Sequence, residues 1–166
     1  MVTISDQKKQ QASAWFYQLR DEIVASFQQL ENDHADGMMA EKPAGTFDVT
    51  TTQRQADDGG DAGGGLMSVL RGGRVFEKVG INVSTVYGRL GDQAQAAMRA
   101  RPGLSDIADD PRFWASGISL VAHLQNPHCP AVHMNTRMFW TPKAWWFGGG
   151  SDLNPCIEYA EDTAHF

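Results

Sequence analysis

The chain has 166 residues, 42% hydrophobic and 20% charged, with a formal net charge of −6. That length suits one domain with a real core, and the acidic balance argues against a general nucleic-acid binder, which is ordinarily basic. No apolar run approaches the roughly 18 residues of a membrane-spanning helix, so no integral membrane segment is expected.

The first eleven residues are polar and hold no signal-peptide core. Cys129 and Cys156 lack CxxC spacing, which points to a reducing cytoplasm rather than a disulfide scaffold. Residues 5–32 form the clearest predicted helix. Phe16, Leu19, Ile23, Phe27 and Leu30 recur at steps of three and four, the spacing of one buried stripe. Trp15 and Val24 widen the stripe, and Ser5 is the N-cap candidate.

A connector containing Pro43 leads to a β-branched, strand-like run at 46–53. Residues 54–65 are rich in glycine and aspartate. They match neither a phosphate loop nor a dinucleotide fingerprint, so a flexible surface loop is the default, with a mobile flap beside a ligand as the functional alternative. Two strand-like runs, 66–71 and 74–79, flank Gly72-Gly73 and predict a hairpin with a primed turn. A third run, 81–87, follows Gly80, and 93–99 is a short helix closed by Pro102-Gly103.

The stretch 118–137 alternates strictly in two short runs joined by a proline-bounded loop. Successive strand side chains point to opposite faces. Ser119 and His123 therefore share one face, and His133, Asn135 and Arg137 share another. An antiparallel pairing through the loop would bring the two polar sets to one side of a sheet, a ready-made site. His128 and Cys129 in the loop are read as incidental, and with His123 and His133 they match no common zinc spacing. Trp140, Trp145, Trp146 and Phe147 then lead into Gly148-Gly149-Gly150 and Asp152. The glycines either let something flat come close or relieve crowding beside the tryptophans. Residues 158–166 read as the opening of a helix after Pro155. At least five antiparallel strands with helices at the two ends make an α+β layout.

The segments GGGLMSVLRGGRVFEKVGINVSTVYG (63–88), FWASGISLVAHLQNPHCPAVHMNTR (113–137) and WWFGGGSDLNP (145–155), with the EDTAHF tail, carry a resemblance. From about Phe47 onward the chain resembles the oxygen-dependent coproporphyrinogen III oxidases. The resemblance implies a broad, flat antiparallel sheet flanked by helices on both faces. It also implies that residues 1–166 are a single truncated domain, with the C-terminal part of the fold missing.

The implied reaction is the oxidative decarboxylation of two propionates of coproporphyrinogen III to vinyl groups, giving protoporphyrinogen IX in porphyrin and haem biosynthesis. Molecular oxygen is the implied oxidant, with no flavin, haem or nicotinamide. By resemblance, Ser119, Asn135, Thr136 and Arg137 bind substrate, Thr136 through its backbone because it faces away. His133 matches a proton donor, and Asp152 an acidic group acting on pyrrole N–H. His123 and His133 match two of four histidines assigned to a divalent metal, and His165 is not promoted to ligand. A family tryptophan is replaced by Gln53, leaving Arg54 a secondary carboxylate-facing candidate. A cytoplasmic homodimer is implied. The competing expectations are a non-catalytic metal- or tetrapyrrole-binding fragment, or a structural fragment, inactive because the C-terminal half is absent.

Overall fold

The computed structural model describes residues 4–166. Among them, helix α1 (Ile4–Asp33) precedes strands β1 (Phe47–Gln55), β2 (Asp61–Arg71) and β3 (Phe76–Arg89). Helix α2 (Asp92–Arg99) follows, then β4 (Arg112–Leu124), β5 (Ala131–Trp140), β6 (Trp145–Asn154) and the short α3 (Ala160–His165). The strands form one six-stranded antiparallel sheet in simple sequence order, β1 to β6. The expected α+β architecture is what the chain adopts.

Helix α1 lies across one face. Leu70, Val79, Ile81, Val83, Ile118, Leu120, Ala122 and Met138 are buried there with Ala12 and Phe16 of the helix. Phe27 of α1 stacks on Phe76, ring centroids 4.8 Å apart. The opposite face is covered only at one end. There the α2 segment brings Leu90, Leu104 and Ile107 against Phe113, Phe139 and Trp146, with the Arg101 guanidinium 5.0 Å from the Trp146 ring. The flanking helices thus lie on both faces, and the rest of the second face is open.

Several sequence expectations shift for identifiable reasons. Ser5 is inside α1 rather than capping it, because the helix already includes Ile4. Trp15 and Leu30 are 49% and 42% exposed; the inward stripe instead takes in Ala12, Arg20 and Glu31, all buried. The glycine-rich loop contracts to the turn at 56–60, and Gly63, Gly64 and Gly65 lie within β2. A Cβ at Gly64 would sit 2.1 Å from the Thr52 carbonyl oxygen, and one at Gly65 1.9 Å from that of Val83. Glycine is what lets β1, β2 and β3 approach there. Gly80 does not separate two strands, since β3 runs through it.

The β2–β3 connection is longer than a two-residue primed turn. Gly72 has the expected positive φ of 65°, but Gly73 is needed for another reason. A Cβ on it would lie 2.2 Å from Oε1 of Glu31. That fully buried carboxylate accepts backbone N–H bonds from Gly45 (2.8 Å), Arg74 (2.7 Å), Val75 (3.0 Å) and Phe76 (2.8 Å). It fastens the end of α1 to the connector and the hairpin at once. Burial pushes the Glu31 carboxyl up, but the four donors outweigh this and hold it below the ordinary range.

Replacing the carboxylate should leave several buried N–H groups unpaired. Glu31→Ala is expected to destabilise the fold by about 3 kcal/mol or more, read from urea unfolding. The wild-type contribution is complete above the unfolded-chain pKa and is lost as pH falls through the lower folded value. Glu31→Gln should therefore show a weaker loss of stability across that acidic window.

Candidate active site

Directly opposed residues in an antiparallel pair project to the same face, so the register lays out the open face as rows running across the strands. Asn82, Ser119, Asn135 and Gly150 make one row on β3 to β6. Ser84, Gly117, Arg137 and Gly148 make the next, toward the α2 end. On the other side run Gly80, Val121, His133 and Asp152, and beyond them Lys78 opposite His123. Ser119, His123, His133, Asn135, Arg137 and Asp152 are thus brought to one face. Thr136 is opposed to Ile118 and Gly149 and turns toward the α1 side, as the alternation requires.

Two side-chain contacts organise this surface. Nδ1 of His133 lies 2.8 Å from Oδ1 of Asp152, with side chains 37% and 53% exposed. Asn154 donates to the other Asp152 oxygen at 2.6 Å. The His133 hydrogen bond, aided by Asn154, holds the Asp152 carboxyl below the usual carboxylate range. Arg137 donates from Nη2 to Oδ1 of Asn135 at 3.1 Å, which steadies the guanidinium along the sheet and leaves most of its five donors free. A fork of that kind is suited to bidentate binding of a carboxylate.

The glycine triplet lies in a strand, and its members differ. A Cβ at Gly150 would meet nothing within 4 Å, so crowding does not explain that glycine, and the surface beside Asn135 is bare. Gly149 faces the other side, where a Cβ would lie 2.3 Å from the Asn135 carbonyl oxygen. Of the aromatic cluster, Trp146 is core, stacked on Phe139 at 5.0 Å. Trp145 and Phe147 are 43% and 58% exposed.

The deciding comparison concerns the whole of this surface. The family model described as coproporphyrinogen III oxidase matches residues 11–166. The chain belongs to the coproporphyrinogen III oxidase family. It is 43% identical over 163 residues to the oxygen-dependent coproporphyrinogen-III oxidase of Rickettsia bellii (strain RML369-C), covering 98% of this chain and 53% of the relative. It is 44% identical over 160 residues to that of Rickettsia felis, covering 96% and 52%. The chain spans about half the length of these curated relatives.

Within this member of the coproporphyrinogen oxidase family, His123 and His133 share a face but occupy diagonal positions. Among the described residues, no group of three or more histidine, cysteine or acidic side chains is placed to hold a metal ion. Two imidazoles, one already bonded to Asp152, do not make a complete site, and no chemical step is assigned to a metal here. His128 is engaged elsewhere, bonding the Tyr159 hydroxyl. No helix among the described residues is long and apolar enough to cross a membrane. Sequence reasoning read strand at 74–79 and 81–87 but placed no site residue on β3. Asn82 and Ser84 line a depression of about 230 Å³ with Gly117, Ser119 and Arg137. The alternation in INVSTV was the available signal, but only the β3–β4 register places it beside Ser119.

An NMR titration of the Asp152 carboxyl should give a midpoint below an ordinary aspartate. His133→Ala should move it back up toward the ordinary value. No difference between the two proteins would mean that the 2.8 Å contact does not persist in solution.

Proposed function

We propose that this chain carries the propionate-binding and proton-handling surface of an oxygen-dependent coproporphyrinogen III oxidase. The observation that carries the proposal is the gathering of Arg137, Asn135 and Ser119 beside the His133–Asp152 pair on one uncovered, glycine-floored face. Each turn of the reaction converts a propionic acid side chain and dioxygen into a vinyl group, carbon dioxide and hydrogen peroxide. The carboxyl carbon leaves as carbon dioxide, one hydrogen leaves the carbon next to the ring, and dioxygen takes up two electrons and two protons. The two electrons come from the propionate arm as its C–H and C–C bonds break, and the electron-rich reduced macrocycle relays them and ends at its starting oxidation level.

The protein's part is to hold and to move protons. Arg137 pairs with the carboxylate, with Asn135 and Ser119 supplying further hydrogen bonds and the Thr136 backbone beside them. Asp152 is kept ionised by His133 and accepts a pyrrole N–H. His133, hydrogen-bonded to Asp152, passes protons to and from the substrate. His123 and His133 would contribute two ligands should a divalent metal bind. The same reading, resting on the resemblance, extends to a single domain, homodimeric assembly and a cytoplasmic site of action.

A second reading is favoured by the coverage of about half of each relative: the 166 residues bind the tetrapyrrole without converting it. The two separate in one experiment. Oxygen uptake coupled to carbon dioxide release supports catalysis by the chain itself, and tetrapyrrole binding without uptake supports the binding module. In the complete protein, Arg137→Ala is expected to raise KM about tenfold or more. An unchanged KM would remove Arg137 from the pocket. His133→Ala should lower kcat by about a hundredfold or more with little change in KM. Unimpaired turnover would end its assignment.

A further inference from the structure

We propose that Asn82 and Ser84 of β3 form the far wall of a carboxylate notch whose near wall is Arg137, and that both contact the same substrate carboxylate. This rests on the function proposed above and adds a strand to the binding surface. Ser84 is opposed to Gly117 on β4, which is in turn opposed to Arg137 on β5. The middle position of that row therefore has no side chain. Ser84 and Arg137 face one another across two strand spacings, a gap of about 10 Å. One row along, Asn82 and Asn135 flank Ser119 in the same way.

The gap is a requirement of the packing and not a slack region. A Cβ at Gly117 would lie 2.6 Å from Cβ of Arg137 and 2.5 Å from the Thr136 carbonyl oxygen. Glycine is the residue that lets β4 and β5 approach beside Arg137, and the same glycine leaves the depression of about 230 Å³ lined by Asn82, Ser84, Ser119 and Arg137. Asn82 and Ser84 are exposed, and neither side chain has a hydrogen-bond partner among the described residues. Nor does any acidic side chain among them form an ion pair with Arg137.

The chemistry of the lining names the ligand class. A guanidinium, two hydroxyls and an amide surround a space open to solvent on one side. A carboxylate has two oxygens and about four acceptor directions, so it can take the guanidinium from one side and the neutral donors from the other. The neutral wall also limits the charge of the notch to that of one arginine. It is matched to a single carboxylate at the end of a flexible arm.

The test measures binding of coproporphyrin III, the coloured oxidised tetracarboxylate, to the 166-residue chain by fluorescence titration. Asn82→Ala and Ser84→Ala are each expected to weaken binding about tenfold, the effect of losing a hydrogen bond to a charged group. Ser84→Thr, which keeps the hydroxyl, should bind like the wild type. In the Arg137→Ala background the Asn82→Ala effect should shrink to less than about twofold, since partners sharing one ligand group are coupled. Both positions are exposed, and unchanged thermal melts would exclude a folding effect. Should Arg137→Ala weaken binding while Asn82→Ala and Ser84→Ala do not, the notch is wrong and the proposed function stands. Absence of porphyrin binding by the wild type, or binding indifferent to Arg137→Ala, would overturn both.

Discussion

Two residues directly opposite one another in an antiparallel sheet must project to the same side, and everything in this molecule follows from how six strands apply that constraint. The register sends Ile118, Leu120 and Ala122 beneath α1 and leaves Ser119, Val121 and His123 on the open side. A slip of one residue in β5 would exchange Arg137 for Thr136 and bury the guanidinium. The Glu31 carboxylate helps prevent such errors at the β2–β3 end, because it grips four backbone donors on segments that must arrive together. Stability and site are therefore one problem, solved by a single choice of pairing.

The two faces differ in how they treat polar groups. Under α1, Ser13 bonds Thr85 at 3.0 Å and Thr85 bonds the buried Ser116 at 2.9 Å. Nε of Arg20 donates to the buried Ser68 at 2.9 Å. These hydroxyls and the Arg20 Nε satisfy one another inside the protein, while Nη2 of Arg20 is buried without a partner among the described residues. On the open face Asn82 and Ser84 keep their hydrogen-bonding capacity for something outside it. The bare positions Gly117, Gly148 and Gly150 keep the surface between the donors low. That contrast, and not the bulk composition, singles out the face as the candidate site.

Local signals made much of this legible in the sequence. The period of α1, the existence of the strands, the alternation along 118–137 and the turn of Thr136 away from the open face all come from spacing within one segment. The long motifs at 63–88, 113–137 and 145–155 indicated the family. What could not be read depended on a partner element. Gly73 suggests a turn conformation until Glu31, 42 positions earlier, is seen beside it. Gly64 and Gly65 suggest a loop until β1 and β3 close around them. Gly80 suggests a strand end, yet β3 continues through it. Asn82 and Ser84 alternate legibly, but their neighbours on β4, Ser119 and Gly117, lie 37 and 33 positions further along the chain.

The sequential strand order carries a consequence for how the chain reaches this state. Each strand pairs with its immediate chain neighbour, so the sheet can grow by closing one connection after another, short ones except for the β3–β4 link that carries α2, at small entropic cost per step. Helix α1 is different. It is made before the sheet, yet its apolar stripe packs on β3 and β4, which are made much later. During synthesis that stripe has no native surface to rest on. The nascent chain is most exposed to aggregation or chaperone capture in that interval, and completion of β4 is the event that ends it.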